Sequence, residues 1–228
     1  MLSTLQTATN KIQSLWKKKH KSPVPQYSVT QSVHCALNVQ QALDENFSEP
    51  FLCKNKLKRE CAFEEMKFCS GSNVILSSPN AGGNSINSEA LSFDVLNTMF
   101  GAKLKETEME LEYFPLNSKI TDFSVSINDV TYGVSVTRAM KYSGTFTFKD
   151  AHRLLTKKLQ GVNESSIAVL PKYQWDKQIL HVLAENERTA NIILRCYETL
   201  PAQLRNNTIV IVTVCDDAPW VFYERACK

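Results

Sequence analysis

From Ile120 to Met140 the chain reads ITDFSVSINDVTYGVSVTRAM. Two β-branched runs flank Asn128-Asp129, residue types that tolerate the left-handed backbone of a tight turn, so this stretch predicts a hairpin. Downstream, NTIVIVTVC (207–215) is apolar on both alternations, the pattern of a strand covered on both faces. Such a strand needs helices on either side. SEALSFDVLNTMFG supplies one, with a stripe of Leu91, Phe93, Val95, Leu96, Met99 and Phe100, a cap at Asn87 or Ser88, and Gly101 to end it. Thr147-Phe148-Lys149-Asp150 is a capping box that opens a second, expected to close at Gly161. ERTANIILRCYETL is an amphipathic third, and ILHVLA, which includes His181 as an expected satisfied core residue, is a short buried strand. Glu108, Glu110 and Glu112 alternate with Met109, Leu111 and Tyr113, which predicts a strand with one solvated face. The order from Asn87 is therefore helix, three strands, helix, strand, helix, strand, an α/β fold with a mixed sheet flanked by helices.

That αβββαβαβ order, together with Asp122 at the head of the second strand and Ser135-Val136-Thr137 in the third, resembles the PD-(D/E)xK, or restriction-endonuclease-like, nuclease superfamily over residues 87–215. The resemblance implies a site made of an acid opening the second strand, an (Asp/Glu)-x-Lys motif about a dozen residues later, and a Glu early in the preceding helix. Asp122 matches the first acid and Glu89 the helix Glu, whereas Ser135 and Thr137 stand where the second acid and the lysine belong. Phosphodiester hydrolysis of this kind uses Mg2+ or Mn2+ to offset phosphate charge and acidify the attacking water, and neither Ser nor Thr supplies charge. Alternation puts positions 135 and 137 on one face, next to Asp122 across the hairpin, and sends Arg138 to the other. The first expectation is thus a degenerate member that binds nucleic acid or a protein partner without cutting. The first alternative is an active nuclease in which Glu89, Asp122 and the Val136 carbonyl hold a metal and the lysine has migrated to Lys141, Lys157 or Lys158. The second is a protein-interaction scaffold.

Charge is unevenly placed. Through Leu43 there are five lysines and no acid, which leaves 21 basic and 23 acidic side chains in the remainder. A DNA-coating protein is not expected from so neutral a body. Residues 1–86 read as a basic arm and linker, partly disordered or helical. Within it a helix is expected near Val33–Leu43, a short one within 51–70 and a linker at 71–87; residues 87–228 form the α/β domain. Lys17, Lys18 and Lys19 form a basic patch that suits a nuclear-targeting signal, a nucleic-acid contact or a solubilising tail equally well. Arg153, Lys157 and Lys158 give the helix after the hairpin a basic side, for phosphates or for solvent. For Glu89 and Asp122, a first-turn acid and a turn cap are the ordinary structural readings. The seven cysteines read as reduced thiols; Cys53, Cys61 and Cys69 lack the close pairing of a zinc site. There is no Gly-rich phosphate loop, nucleophile elbow or dinucleotide fingerprint. With no apolar run of about 18 residues, no membrane association is expected, and an intracellular protein, cytoplasmic or nuclear, is.

Overall fold

Two strands are buried at every position, and the sheet is assembled around them. The computed structural model describes residues 27–44, 48–61, 65–81 and 85–223. In chain order the elements are β1 (Tyr27–Gln31), α1 (Val33–Ala42), β2 (Phe51–Arg59), α2 (Ser70–Ser77), α3 (Ile86–Phe100), β3 (Lys103–Thr107), β4 (Phe123–Ile127), β5 (Val130–Ala139), α4 (Phe148–Ala168), β6 (Lys177–Ala184), α5 (Glu187–Glu198), α6 (Ala202–Arg205) and β7 (Thr208–Val214). The seven strands lie in the order β1-β2-β7-β6-β5-β4-β3. β2, β7, β6 and β5 are mutually parallel, and the pairs at both edges are antiparallel. β6 and β7 are the fully buried strands at the centre, as their unbroken apolar runs require.

The sheet separates two apolar layers. On one side Leu91, Phe93 and Leu96 of α3 pack with Phe123, Val125, Val134, Ile179 and Ile211. On the other, Leu155 and Leu159 of α4 and Ile193 of α5 pack with Leu180, Val182, Val210 and Val212. His181 places an imidazole within the first layer. Its Nδ1 lies 2.7 Å from Ser92 Oγ and its Nε2 2.8 Å from Thr213 Oγ1, and burial drives its pKa down to about 3. The ring is therefore neutral, as expected for a satisfied core histidine, and it locks α3 onto β6 and β7.

Local signals hold where they are strongest. Asn128 and Asp129 both have positive φ, 50° and 66°, and make the two-residue hairpin. Gly101, at φ 68°, closes α3, and Thr147 and Asp150 form both halves of the capping box. The cap of α3 is Ser85, not Asn87 or Ser88.

Several expectations are corrected. Residues 51–59 are a strand, not a helix, and β1 and β2 extend the sheet, so residues from 27 onward are joined to the domain instead of standing outside it as an arm. Alternation within FLCKNKLKR accounts for this: Cys53, Asn55 and Leu57 are buried while Lys54, Lys56 and Lys58 point outward to acids. The linker expected at 71–87 contains α2. It is needed because α3 is apolar on its outer face too, where Asp94 accepts bonds from Cys69 N (2.8 Å) and Ser72 Oγ (3.0 Å) at the head of α2 and from Tyr27 OH (2.5 Å) of β1. The strand expected through Tyr113 stops at Thr107, where the Glu110 carboxylate turns back onto Thr107 N and Oγ1, both at 2.8 Å. Tyr113 alone pairs, in one bridge to Val169. Gly161 does not end α4, which runs on to Ala168 because Val162 and Ser165 have a buried face to fill. The arm lysines Lys17, Lys18 and Lys19 lie outside the described residues.

Among the described residues no helix is long and apolar enough to cross a membrane, no disulfide joins the cysteines, and no group of three or more His, Cys, Asp and Glu side chains could hold a metal.

Gly133 of β5 lies under Trp175, and a Cβ there would sit 2.5 Å from the indole ring. Gly133→Ala is expected to destabilise the fold by about 1–3 kcal/mol through this overpacking, read as a lower urea midpoint with an altered tryptophan emission.

Candidate active site

β5 is twice as long as β4, so beyond the pair Phe123–Val134 its edge runs on without a strand beside it. Val136 is the next residue whose peptide groups face that gap. Its N–H donates to Asp122 Oδ2 at 2.5 Å, and its carbonyl accepts from Lys158 Nζ at 3.1 Å. Two side chains thus do what a neighbouring strand would have done. They also bring an acid and a lysine to the backbone of one residue.

Asp122 stands immediately before β4, with its N–H on Val134 O (3.1 Å). The neighbouring Thr121 ties that chain segment to α4 by a hydroxyl contact to Ser165 Oγ (2.9 Å) and to Tyr113 OH through its N–H (3.0 Å). Lys158 stands on α4, one turn before Gly161. Glu89 comes from the opposite layer, in the first turn of α3, three residues before the Ser92 that His181 holds. Glu89 is 3% exposed.

These charges act on one another. Burial raises Glu89 to about 7, and the Asp122 and Glu108 carboxylates add to it, against a Ser85 hydroxyl bond and the Lys158 charge. Burial likewise raises Asp122 to about 6, with Glu108 adding, while Lys158 and the Val136 N–H pull it down. Glu89, Asp122, Glu108 and Lys158 are thus within electrostatic reach of one another. Glu108 was expected on a solvated strand face with Glu110 and Glu112. Because β3 ends at Thr107 it turns inward instead, where Oε2 accepts from Ala81 N at 2.8 Å. Glu112 does face outward, paired with Lys172 at 2.5 Å.

Ser135 and Thr137 are buried (6% and 8% exposed) and lie beside Leu180 and Val182 in the register, on the sheet face that α4 covers. They bring no charge to the site. Of the three lysines where the missing one could have moved, only Lys158 reaches the strand. Lys141 is committed to Asp150 (3.2 Å), and Lys157 is exposed. Lys157, Lys141, Arg138 and Arg153 line a concavity of about 310 Å³ at the end of β5, with Asp150 as its one acid. Arg153 reaches that Asp150 at 3.5 Å, and Arg138 donates across to Val221 O at 3.3 Å.

The donors fit a hard divalent cation. A buried carboxylate (Glu89) and a half-buried one (Asp122) repel each other, a strand carbonyl is adjacent, and all donors are oxygen, as Mg2+ or Mn2+ prefers. No group of three or more His, Cys, Asp or Glu side chains able to hold a metal is present among the described residues. An ion here would draw on Glu89, Asp122 and the Val136 carbonyl, with water for the rest, an ordinary arrangement for Mg2+.

No protein-family model matches the chain, and no solved structure matches it. The chain is similar to the AAC-rich mRNA clone AAC4 protein of Dictyostelium discoideum, 48% identical over 160 residues. That match covers 67% of this chain and spans 23% of the relative's length.

Both acids bind their proton more tightly in the folded protein than in the unfolded chain. Their contribution to stability is therefore fully present below about pH 4 and is lost as pH rises through 6 to 7. Glu89→Gln is expected to remove about half of this slope, Asp122 keeping the rest, and to raise the melting temperature at pH 8, the wild-type loss from Glu89 being of the order of 3 kcal/mol. Melting curves from pH 4 to 8 on both proteins check it; parallel profiles would mean that Glu89 is not a strained acid.

Proposed function

We propose that the chain is a PD-(D/E)xK-like protein that cleaves phosphodiester bonds with Mg2+ or Mn2+, Lys158 serving for the lysine that Thr137 has replaced. The observation that carries this reading is the pair of bonds on Val136, which sets Asp122 and Lys158 on the backbone N–H and C=O of one residue with Glu89 in electrostatic reach. It favours the alternative of a migrated lysine over the non-cleaving protein that the loss of Ser135 and Thr137 suggests at first sight.

The residues divide the work. Glu89 and Asp122 would hold the cation, which, when bound, offsets phosphate charge and acidifies water. Lys158 keeps a positive charge beside Asp122, able to attract a phosphate oxygen or to orient a water by hydrogen bonding. Its attachment to the Val136 carbonyl holds the ammonium in place before substrate arrives. Arg153, Lys157 and Lys141, around the neighbouring concavity, suit the phosphates of a nucleic acid, which would be the substrate. A non-cleaving nucleic-acid binder is the second reading, favoured by the absence of a third carboxylate at Ser135.

Incubation with single- and double-stranded DNA and RNA in Mg2+ or Mn2+ separates the two. Cleavage is expected in the wild type and is expected to fall at least 100-fold in both Asp122→Ala and Lys158→Ala, the usual scale for a charged group at the reacting centre. Circular dichroism of each variant reports that it is folded. Cleavage that survives both substitutions would overturn the assignment; binding without cleavage in the wild type would establish the second reading.

A further inference from the structure

Between Glu108 and Asp122 the chain leaves the sheet, forms a long loop and returns to the site. Of the large apolar side chains exposed among the described residues, Met109, Phe114, Leu116 and Ile120 belong to this loop; Phe114 is 74% and Leu116 91% exposed. Ile167 (87%) belongs to the end of α4 on which the loop rests. Scattered single exposed apolar residues carry no message, but a cluster of them on one segment does.

The loop is not loose. Phe114 N donates to Ala168 O at 2.8 Å and Leu170 N to Glu112 O at 2.9 Å, on either side of the Tyr113–Val169 bridge. Ser118 N closes a turn on Pro115 O (3.0 Å), and Thr121 is tied to Tyr113 and Ser165. Phe114 is thus held out to solvent by main-chain bonds on a helix end, a preorganised platform.

Its surroundings say what would lie on it. The same helix carries Arg153, Lys157 and Lys158 upstream, and the loop's own Lys119 passes over Gly161, its Cγ 3.8 Å from where a Cβ would stand. From Lys157 to Ala168 is about 16 Å along the helix axis. Arg153, Lys157, Gly161, Glu164 and Ala168 follow one another at helical spacing, so one flank of α4 runs from cations, past the exposed acid Glu164, to the loop that bears the exposed aromatic, with Lys158 turned from it toward the sheet. Cations that meet phosphates beside an aromatic that offers a flat apolar face are the two parts of a single-strand binding track. In an intact duplex the faces of the bases are stacked on one another and closed to Phe114.

We infer that the loop Tyr113–Ile120 is a stacking platform for unpaired bases, Phe114 foremost, so that the protein takes single-stranded nucleic acid, or a frayed end, in preference to duplex. The inference rests on the proposed site as far as the path of the strand is concerned, but not on cleavage.

The test is binding by the full chain in EDTA, where cleavage is silent. The probes are a short oligonucleotide, as DNA and as RNA, with one 2-aminopurine, and the same sequence as a blunt duplex. Tighter binding of the single strand is expected, with fluorescence quenched as the 2-aminopurine stacks. Phe114→Ala, a change at an exposed position, should weaken single-strand binding roughly 5- to 150-fold and abolish the quenching, with the salt dependence unchanged. Lys157→Ala should do the converse, keeping the quenching and lowering the salt slope by about 1. Equal affinity for duplex with an unaffected Phe114→Ala variant would overturn the inference even if cleavage is observed. Stacking without cleavage would sustain it while the catalytic reading failed, and no binding of either probe would overturn the inference and leave the catalytic reading to its own assay with Mg2+ or Mn2+. Self-association of the wild type that Phe114→Ala abolishes, with nucleic-acid binding unchanged, would reassign the loop to a protein contact.

Discussion

The backbone N–H and C=O of Val136 must be satisfied where β5 outruns β4, and the arrangement of the site follows from how this is done. An edge peptide left to water would impose nothing on its neighbours. Here the N–H takes the Asp122 carboxylate and the carbonyl takes the Lys158 ammonium, so the end of the hairpin, the start of β4 and the middle of α4 are held in one geometry. Charge-assisted bonds of this kind are stronger than those of a neutral ladder. They also oblige two opposite charges to stay close together in a half-buried place.

Glu89 has no such neutralising bond. It reaches the same place because α3 is fixed on the sheet by a polar bridge through the apolar layer, from Ser92 to His181 to Thr213. Each ring nitrogen of His181 has a hydroxyl partner, so the imidazole stays neutral and costs little to bury. The helix can then neither rotate nor slide without breaking a buried bond, and Glu89, one turn earlier, is kept within electrostatic reach of Asp122 at the start of β4. The price is a carboxylate that resists ionisation, which is the condition a divalent cation or a protonated acid relieves.

The sequence reading was most legible where short-range chemistry dominates. The Asn128-Asp129 hairpin, the Thr147–Asp150 capping box, the Gly101 stop, the apolar strand at 208–214 and His181 as a core residue could all be read from residue type and spacing. Asp122 and Glu89 could be proposed because a family resemblance supplied the positions. Glu108 could not, since the alternation of Glu108, Glu110 and Glu112 conceals that the strand has already ended at a side chain bending back from Glu110. Nor could β2 be separated from a charged helix until its lysines were seen to meet Glu187 and Asp216, acids more than a hundred residues away.

What the sequence determined by itself is the set of elements and the layers they must build. Periodicity and capping act over a few residues, and a strand apolar on both faces has no other place than inside a covered sheet. Which lysine stands beside Asp122 was decided only by tertiary structure. Lys141, Lys157 and Lys158 are equivalent by composition and nearly so by position. Packing of Leu155, Leu159 and Val162 of α4 on the sheet sends Lys158 to Val136 and leaves Lys157 at the surface, while Lys141, before the helix, goes to Asp150. Contacts between residues far apart in the chain fix that placement, and a local pattern carries no record of it.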